Sequence, residues 1–316
     1  MRLGYFLSSE EHPAPELVRQ ARMAQDAGFE ALWVSDHFHP WNDEQGQSPF
    51  VWSVIGAVSQ ACDLPLTTAV TCPTVRTHPA VIAQAAATSA TLMPGRFHLG
   101  VGSGEALNEH ITGASWPSAQ VRLEMLEEAV DIIRRLFTGE RVYHRGRHYV
   151  VDEARLYSRP DKAPPIYVSG FGPRAIELAA RIADGFISTN PQPDDLDHYR
   201  LHGGRGPAEA GVKVCWASDE ESAVDTAHRL WANSGVPGEL AQVLPSPKHF
   251  EQASTLVTRE STASSVACGP DPKRHAEVVR QFADAGYDTL YVSQMGPQQE
   301  EFFQFWADEV RPLLAG

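Results

Sequence analysis

An α/β chain closing into a (β/α)8 TIM barrel is predicted by two observations. Short apolar runs alternate with amphipathic helical stretches almost from end to end, and one unit of that alternation recurs near the far end of the chain. The unit is Asp26-Ala-Gly-Phe-Glu-Ala-Leu-Trp-Val-Ser35, matched at nearly every position by Asp284-Ala-Gly-Tyr-Asp-Thr-Leu-Tyr-Val-Ser293, with a weaker echo in Arg181-Ile-Ala-Asp-Gly-Phe-Ile-Ser188. Repetition of a helix, a glycine turn and a buried strand suggests quasi-symmetric closure. A doubly wound open sheet is the alternative that the same alternation allows.

Leu3–Leu7 reads as the first strand, followed by a helix opened by Pro15 and closed by Gly28, the expected asymmetry of helix ends. Ala31–Ser35 and Leu66–Cys72 are the next strands, and a helix runs from Pro79 to Leu92. After the strand Phe97–Gly100, a helix over Gln120–Phe137 carries Leu123, Leu126, Val130, Ile133 and Leu136 at the spacing of one face. Ile166–Val168, Gly185–Ser188, Val212–Ala217 and Thr289–Ser293 complete the strand set. Two insertion segments interrupt it. Residues 140–165 contain Val142-Tyr-His-Arg-Gly-Arg-His-Tyr-Val150, which alternates like a hairpin, and residues 231–263 are rich in Ser, Pro and Gly. The second is expected to cover the C-terminal face of the barrel as a lid. Neither is low-complexity and no flexible linker appears, so one domain over residues 1–316 is expected.

The 40 acidic residues against 26 basic ones leave a formal net charge of -14. That disfavours nucleic acid or an anionic membrane as partner, while leaving room for an anionic ligand in a local pocket. Cys62, Cys72, Cys215 and Cys268 lack the paired spacing of zinc or redox sites, and the chain shows no signal-peptide core or membrane-length apolar run. A cytoplasmic protein acting on a small molecule is the expectation. No metal is expected, because the 13 histidines include no His-Glu-x-x-His spacing. No serine sits in a Gly-x-Ser-x-Gly elbow.

In a (β/α)8 barrel, residues just past the C-terminal strand ends converge. That rule gathers Glu10, then Asp36, His37 and Trp41, then Cys72, Glu105, Ser169-Gly170-Phe171-Gly172 and Thr189-Asn190. Acids, a histidine and a tryptophan on one face point to acid–base chemistry beside an aromatic ligand. For His37 itself, a catalytic group and a hydrogen-bonded loop anchor are equally good readings. Gly100-Val-Gly-Ser-Gly104-Glu105 lacks the full Gly-x-Gly-x-x-Gly pattern. Its glycines more plausibly let the backbone pass close to a flat ligand, with Glu105 at the rim. At Ser169–Gly172 a strand ends in a glycine loop and a helix begins at Pro173. A phosphate cradle and a plain turn fit that pattern equally. Asp194, Asp195 and Asp197 read as a solvated helix start.

Three motifs occur in order: Ser35-Asp-His-Phe-His-Pro-Trp41, Pro79-Ala-Val-Ile-Ala-Gln-Ala85 and Gly100-Val-Gly-Ser-Gly-Glu-Ala-Leu-Asn-Glu109. Through them the chain resembles the luciferase-like flavin and deazaflavin oxidoreductases, and within these the coenzyme F420-dependent glucose-6-phosphate dehydrogenase group. The resemblance runs from Leu3 to the C-terminal helix and weakens across residues 201–263. It implies F420 across the barrel mouth, a cis Ala69–Val70 peptide behind the ring, and Asp36, Val70, Cys72 and Asn108 against the ring or its side chain. It implies that Ser169, Gly170, Phe171 and Gly172 hold the cofactor phosphate. By the same resemblance His37 is the general base, Glu105 the acid near the ring, Trp41 the aromatic beside the reacting carbon, Glu10 a further carboxylate, and the assembly a homodimer.

At the substrate end the chain departs from that group. Two positions that carry phosphate-binding lysines there are aligned with Gln192 and Gln252, and no third basic contact is assigned, Arg274 being nearby in sequence. A neutral amide keeps hydrogen bonds but loses the charge that favours a phosphate dianion. With Thr189 these glutamines are the expected substrate contacts. The expectation is an F420-dependent dehydrogenase or reductase of an alcohol or carbonyl compound that uses glucose 6-phosphate poorly. Its rivals are a sugar-phosphate dehydrogenase, an FMN-dependent monooxygenase of the same superfamily, and a non-catalytic binder of a flavin-like ligand.

Overall fold

The computed structural model describes residues 1–189, 191–192 and 194–314. Strands β1 (Arg2–Leu7), β2 (Ala31–Val34), β3 (Leu66–Thr68) and β4 (Phe97–Val101) are followed by a hairpin of β5 (Val142–Arg145) and β6 (Val150–Ala154). Then come β7 (Ile166–Ser169), β8 (Gly185–Ser188), β9 (Ala208–Cys215), β10 (Ala267–Cys268) and β11 (Thr289–Gln294). All but the hairpin pair are parallel to their neighbours. Phe186 of β8 pairs with Ala208 of β9, and Arg2 of β1 with Thr289 of β11, so the sheet closes on itself. The result is an 8-strand TIM barrel rather than an open sheet, with β10 as an added strand on β9. No helix among the described residues is long and apolar enough to cross a membrane.

The helices over Pro79–Leu92 and Ala119–Phe137 fall where the apolar spacing puts them, and Pro173 opens the helix Pro173–Ile182. Two strand boundaries are corrected. β3 stops at Thr68 rather than Cys72: the Ala69–Val70 peptide is cis, and beyond it only Thr71 bridges to Val101. β9 starts at Ala208 rather than Val212, because Glu209 interrupts the apolar run in sequence yet is fully buried in the barrel. Residues 231–263 fold into short helices, among them Leu240–Val243, Pro247–Ser254 and Arg259–Ser265.

Aromatic side chains fill the barrel interior. Trp33 stacks on Tyr291 with ring centroids 4.2 Å apart, and Phe6 meets Trp33 edge-on. A side chain at Gly211 would begin 2.8 Å from the Trp33 ring, so only glycine leaves room for that stack. Glu209 accepts hydrogen bonds from Trp33 Nε1 (2.8 Å) and Tyr291 Oη (3.2 Å). Burial outweighs both bonds and pushes its carboxyl up to about 7.

The sign of the linkage follows. A carboxyl raised above its unfolded value stabilises the fold fully below about pH 4.5, and that contribution is lost as pH rises through about 7. Glu209→Gln retains a neutral side chain that accepts from Trp33 and donates to the Tyr291 oxygen. Urea unfolding is expected to show the variant gaining on wild type between pH 5 and pH 8, by on the order of 1–3 kcal/mol. An unchanged difference at the two pH values would contradict the assignment.

Candidate functional site

The loops after β1 and β2 are stitched together by short polar side chains. Ser9 N–H donates to Ser35 Oγ (2.9 Å) and Ser9 Oγ donates to the Ser35 carbonyl (2.9 Å). Ser35 Oγ in turn donates to Glu10 Oε2 at 2.7 Å, and Ser8 Oγ adds a bond at 3.0 Å. Serine suits these positions because its one hydroxyl accepts and donates at once. The next turn is held from outside: Ser48 Oγ donates to the His37 carbonyl, and His39 Nδ1–H to the Leu107 carbonyl.

This framework places His37 Nε2 3.3 Å from Glu10 Oε1 and 3.8 Å from Glu105 Oε1. Nδ1, on the far side of the ring, meets an acceptor, the His39 carbonyl at 3.1 Å, and a donor, the Asn108 amide at 3.0 Å. Either neutral tautomer is therefore satisfied, and a proton gained at Nε2 lies between two carboxylates. Burial works to raise the Glu10 pKa, but the charge of His37, the Ser35 hydroxyl and the charge of Lys213 hold it below the usual value, so Glu10 is an anion. Asn108 is buried and fully used. Its oxygen accepts the Phe38 and His39 N–H groups, and its nitrogen also bonds Glu105 Oε1. Trp41 leans on His37 with ring centroids 5.0 Å apart and meets Phe250 edge-on at 4.9 Å.

Beside this lies a second charged group. Asp36 accepts from Thr71 Oγ1 (2.8 Å) and from Arg76 Nη2 (2.9 Å), while Arg76 Nε is 3.5 Å from Glu109 Oε1. Glu109 also accepts the Val75 and Arg76 N–H groups, yet burial still pushes it up to about 7. Cys72 is buried, and burial with the charges of Glu105 and Glu109 pushes its thiol well up. It remains a protonated lining group.

Behind this mouth the chain is shaped for close approach. A Cβ on Gly102 would begin 2.7 Å from Val70 Cγ2, beside the cis peptide. One on Gly170 would begin 2.9 Å from the Ala175 backbone, whereas Gly172 has φ 77° and open space around it. The helix Pro173–Ile182 has no side-chain cap, and Ser169 Oγ is buried with no hydrogen-bond partner. Unclaimed N–H groups and a hydroxyl at a helix N-terminus fit a phosphate.

Over residues 1–289 the sequence matches the luciferase-like monooxygenase family. The chain belongs to that family. It is 35% identical to the F420-dependent glucose-6-phosphate dehydrogenase of Microbacterium testaceum (strain StLB037), covering 99% of this chain and 97% of that one. It is 36% identical to the enzyme of the same name from Kribbella flavida (strain DSM 17836 / JCM 10339 / NBRC 14399), with 99% and 98% covered. A solved structure described as an F420-dependent secondary alcohol dehydrogenase in complex with an F420–acetone adduct superposes at a TM-score of 0.92. It is 29% identical and covers 99% of this chain and 98% of its own.

Within this luciferase-like barrel, the residues expected at the site separate into two groups. Glu10, His37, Trp41, Glu105 and Asn108 form one connected cluster. Asp36 and Cys72 lie in the neighbouring Arg76 group. Phe171 is exposed on the glycine loop, and Thr189 is half-buried just past β8. Asn190 lies outside the described residues. Gln192 is exposed, and its N–H donates to Asp195 Oδ2 at 2.9 Å. Gln252 is exposed on the helix Pro247–Ser254, about 200° around from buried Phe250 at ~100° per residue. Arg274 is engaged by Glu220 and by the Ala263, Val266 and Cys268 carbonyls.

Sequence reasoning missed Arg76, Glu11, Lys213 and Phe250, and gave Glu109 no role although it closes the third motif. Lys213 Nζ sits 4.3 Å from the Trp231 ring centroid, and burial lowers its pKa while Glu10 and Glu11 oppose that. Glu11 accepts from Trp231 Nε1 and Gly296 N–H, and burial raises it to about 7. The available signal for Lys213 was strand parity, since it follows Glu209 and Gly211 on the inward face of β9.

Proposed function

We propose that the chain is an F420-dependent oxidoreductase. It moves a hydride between the carbon of an alcohol or carbonyl substrate and the deazaflavin, with His37 as the proton acceptor in oxidation and donor in reduction. The observation that carries this reading is His37 Nε2 between Glu10 and Glu105, beside Trp41. The F420 dependence of the relatives described above supports the cofactor assignment.

Ser169, Gly170, Phe171 and Gly172 would hold the cofactor phosphate. Ala69, Val70 and Cys72 would line the ring, with Asp36 and Asn108 fixing the loops around it. Bound F420 supplies a two-electron carrier that accepts or returns a hydride. His37 Nε2 takes the substrate hydroxyl proton, and the resulting imidazolium is stabilised by the two flanking carboxylates. The Asn108 amide and the His39 carbonyl hold the ring in register as charge appears on it. Trp41, braced by Phe250, keeps water from the reacting carbon.

A neutral substrate is favoured over a phosphate dianion. Arg76 is committed to Asp36 and Glu109, Lys213 faces Glu10 and Glu11, and Gln192 and Gln252 carry no charge. The homodimer and cytoplasmic setting expected from sequence belong to this same reading. Titration of F420 and FMN followed by absorbance should show saturable binding of F420 alone. Reduction of F420 should then show a higher kcat/KM with small secondary alcohols than with glucose 6-phosphate. FMN binding without F420 binding would overturn the cofactor assignment. Preferred turnover of glucose 6-phosphate would overturn the substrate class.

A further inference from the structure

We propose that Glu177, His198 and His202 form a surface site for a divalent transition ion of the zinc class, on the outer helical layer and separate from the His37 cluster. Glu177 lies on the helix Pro173–Ile182, His198 on the helix Asp195–Leu201, and His202 caps the latter. The two histidines are four residues apart, so their rings share one helix face, with centroids 4.3 Å apart. Glu177 Oε1 is 3.4 Å from His198 Nε2 and 3.7 Å from His202 Nε2, and the three donor atoms all lie within 4.8 Å of one another. Zinc bonds of about 2.0–2.1 Å in tetrahedral geometry put donor atoms roughly 3.3–3.5 Å apart. The carboxylate–imidazole spacings need only small side-chain movements to reach that.

Two further features separate this cluster from an ordinary pair of His–Glu contacts. His202 Nδ1–H donates to the His198 carbonyl at 2.9 Å, which fixes the tautomer with the Nε2 lone pair turned toward Glu177. A backbone carbonyl on the far nitrogen is the usual way a metal-bound imidazole is oriented. His198 Nε2 is a buried atom with no hydrogen-bond partner. Two imidazoles and one carboxylate suit Zn2+, Co2+ or Ni2+ rather than the all-oxygen demands of Mg2+ or Ca2+. Partial exposure leaves water to complete the coordination. This proposal departs from the sequence expectation of no metal. That expectation rested on the absence of His-Glu-x-x-His spacing, whereas here the carboxylate comes from the preceding helix and only His198-x-x-x-His202 is local. A bound ion would tie the helix behind the glycine loop to the helix that follows Gln192.

The test uses untagged, metal-free, full-length protein, with Zn2+ competed against a chromophoric chelator and Co2+ followed by its visible d–d absorption. Expected are one saturable Zn2+ equivalent per chain at micromolar concentration, a tetrahedral-type Co2+ spectrum, and a rise in Tm with metal. Glu177→Gln and His202→Ala should each weaken binding at least tenfold and abolish the Tm rise. The double variant His198→Gln/His202→Ala should lose the Co2+ spectrum. Glu177→Gln, being isosteric and exposed, keeps the test valid if a histidine variant misfolds. Absence of saturable Zn2+ binding in wild type, or unchanged binding in these variants, would overturn the site.

Discussion

His37→Ala is expected to lower kcat by about 10²–10⁴-fold, the range over which a positioned general base acts. F420 affinity should stay within a few-fold, because the glycine loop Ser169–Gly172 and the ring-lining Val70 and Cys72 lie on other loops and Asp36 keeps its bonds to Thr71 and Arg76. The ring is polarised from both ends. Nε2 faces Glu10 and Glu105, while Nδ1 has the His39 carbonyl and the Asn108 amide. Removing the imidazole takes away the ring nitrogen held between Glu10 and Glu105 and leaves those two carboxyl groups facing one another. Added imidazole should restore part of the rate. A kcat within threefold of wild type would return His37 to the role of loop anchor.

Arg76→Met is expected to give the largest loss of stability, about 3–5 kcal/mol, because it leaves Asp36 and Glu109 buried without their cation. At this chain length that corresponds to a Tm fall on the order of 5–10 °C. Combining it with Glu109→Gln should recover part of the loss, since one of the two stranded carboxylates is then neutral. The recovery should be larger at pH 8 than at pH 5. Glu109, already pushed up to about 7 by burial, is more fully ionised at the higher pH. A single variant melting within 2 °C of wild type would mean that the cluster carries no net stabilising charge pairing.

The barrel was legible because its signals are local and repeated. Apolar runs, the Asp-Ala-Gly-aromatic turn and proline-opened helices each act within a few residues, and eightfold architecture multiplies them. The His37 loop and the Glu105 rim were legible for the same reason, since the rule of C-terminal strand ends turns sequence position into place. Arg76 was not. It lies past the cis peptide in an irregular stretch, and its meaning comes only from meeting Asp36 and Glu109 across the mouth. Glu209 fell outside the expected strand Val212–Ala217 because a carboxylate in a strand looks like a break until Trp33 and Tyr291 are seen to donate to it. Phe250 sits in a segment without periodicity, and Gln252, chosen from alignment in that same segment, faces outward.

The edge contact between Trp41 and Phe250 joins two parts of the chain under different constraints. Trp41 descends from a β-strand whose pairing, buried ladder and polar stitching leave little latitude for change. Phe250 belongs to the helix Pro247–Ser254, which pairs with no strand and packs on the barrel from outside the sheet. A change at Phe250 would therefore shift the support behind the Trp41 indole without touching the strands that carry the Glu10 and His37 loops.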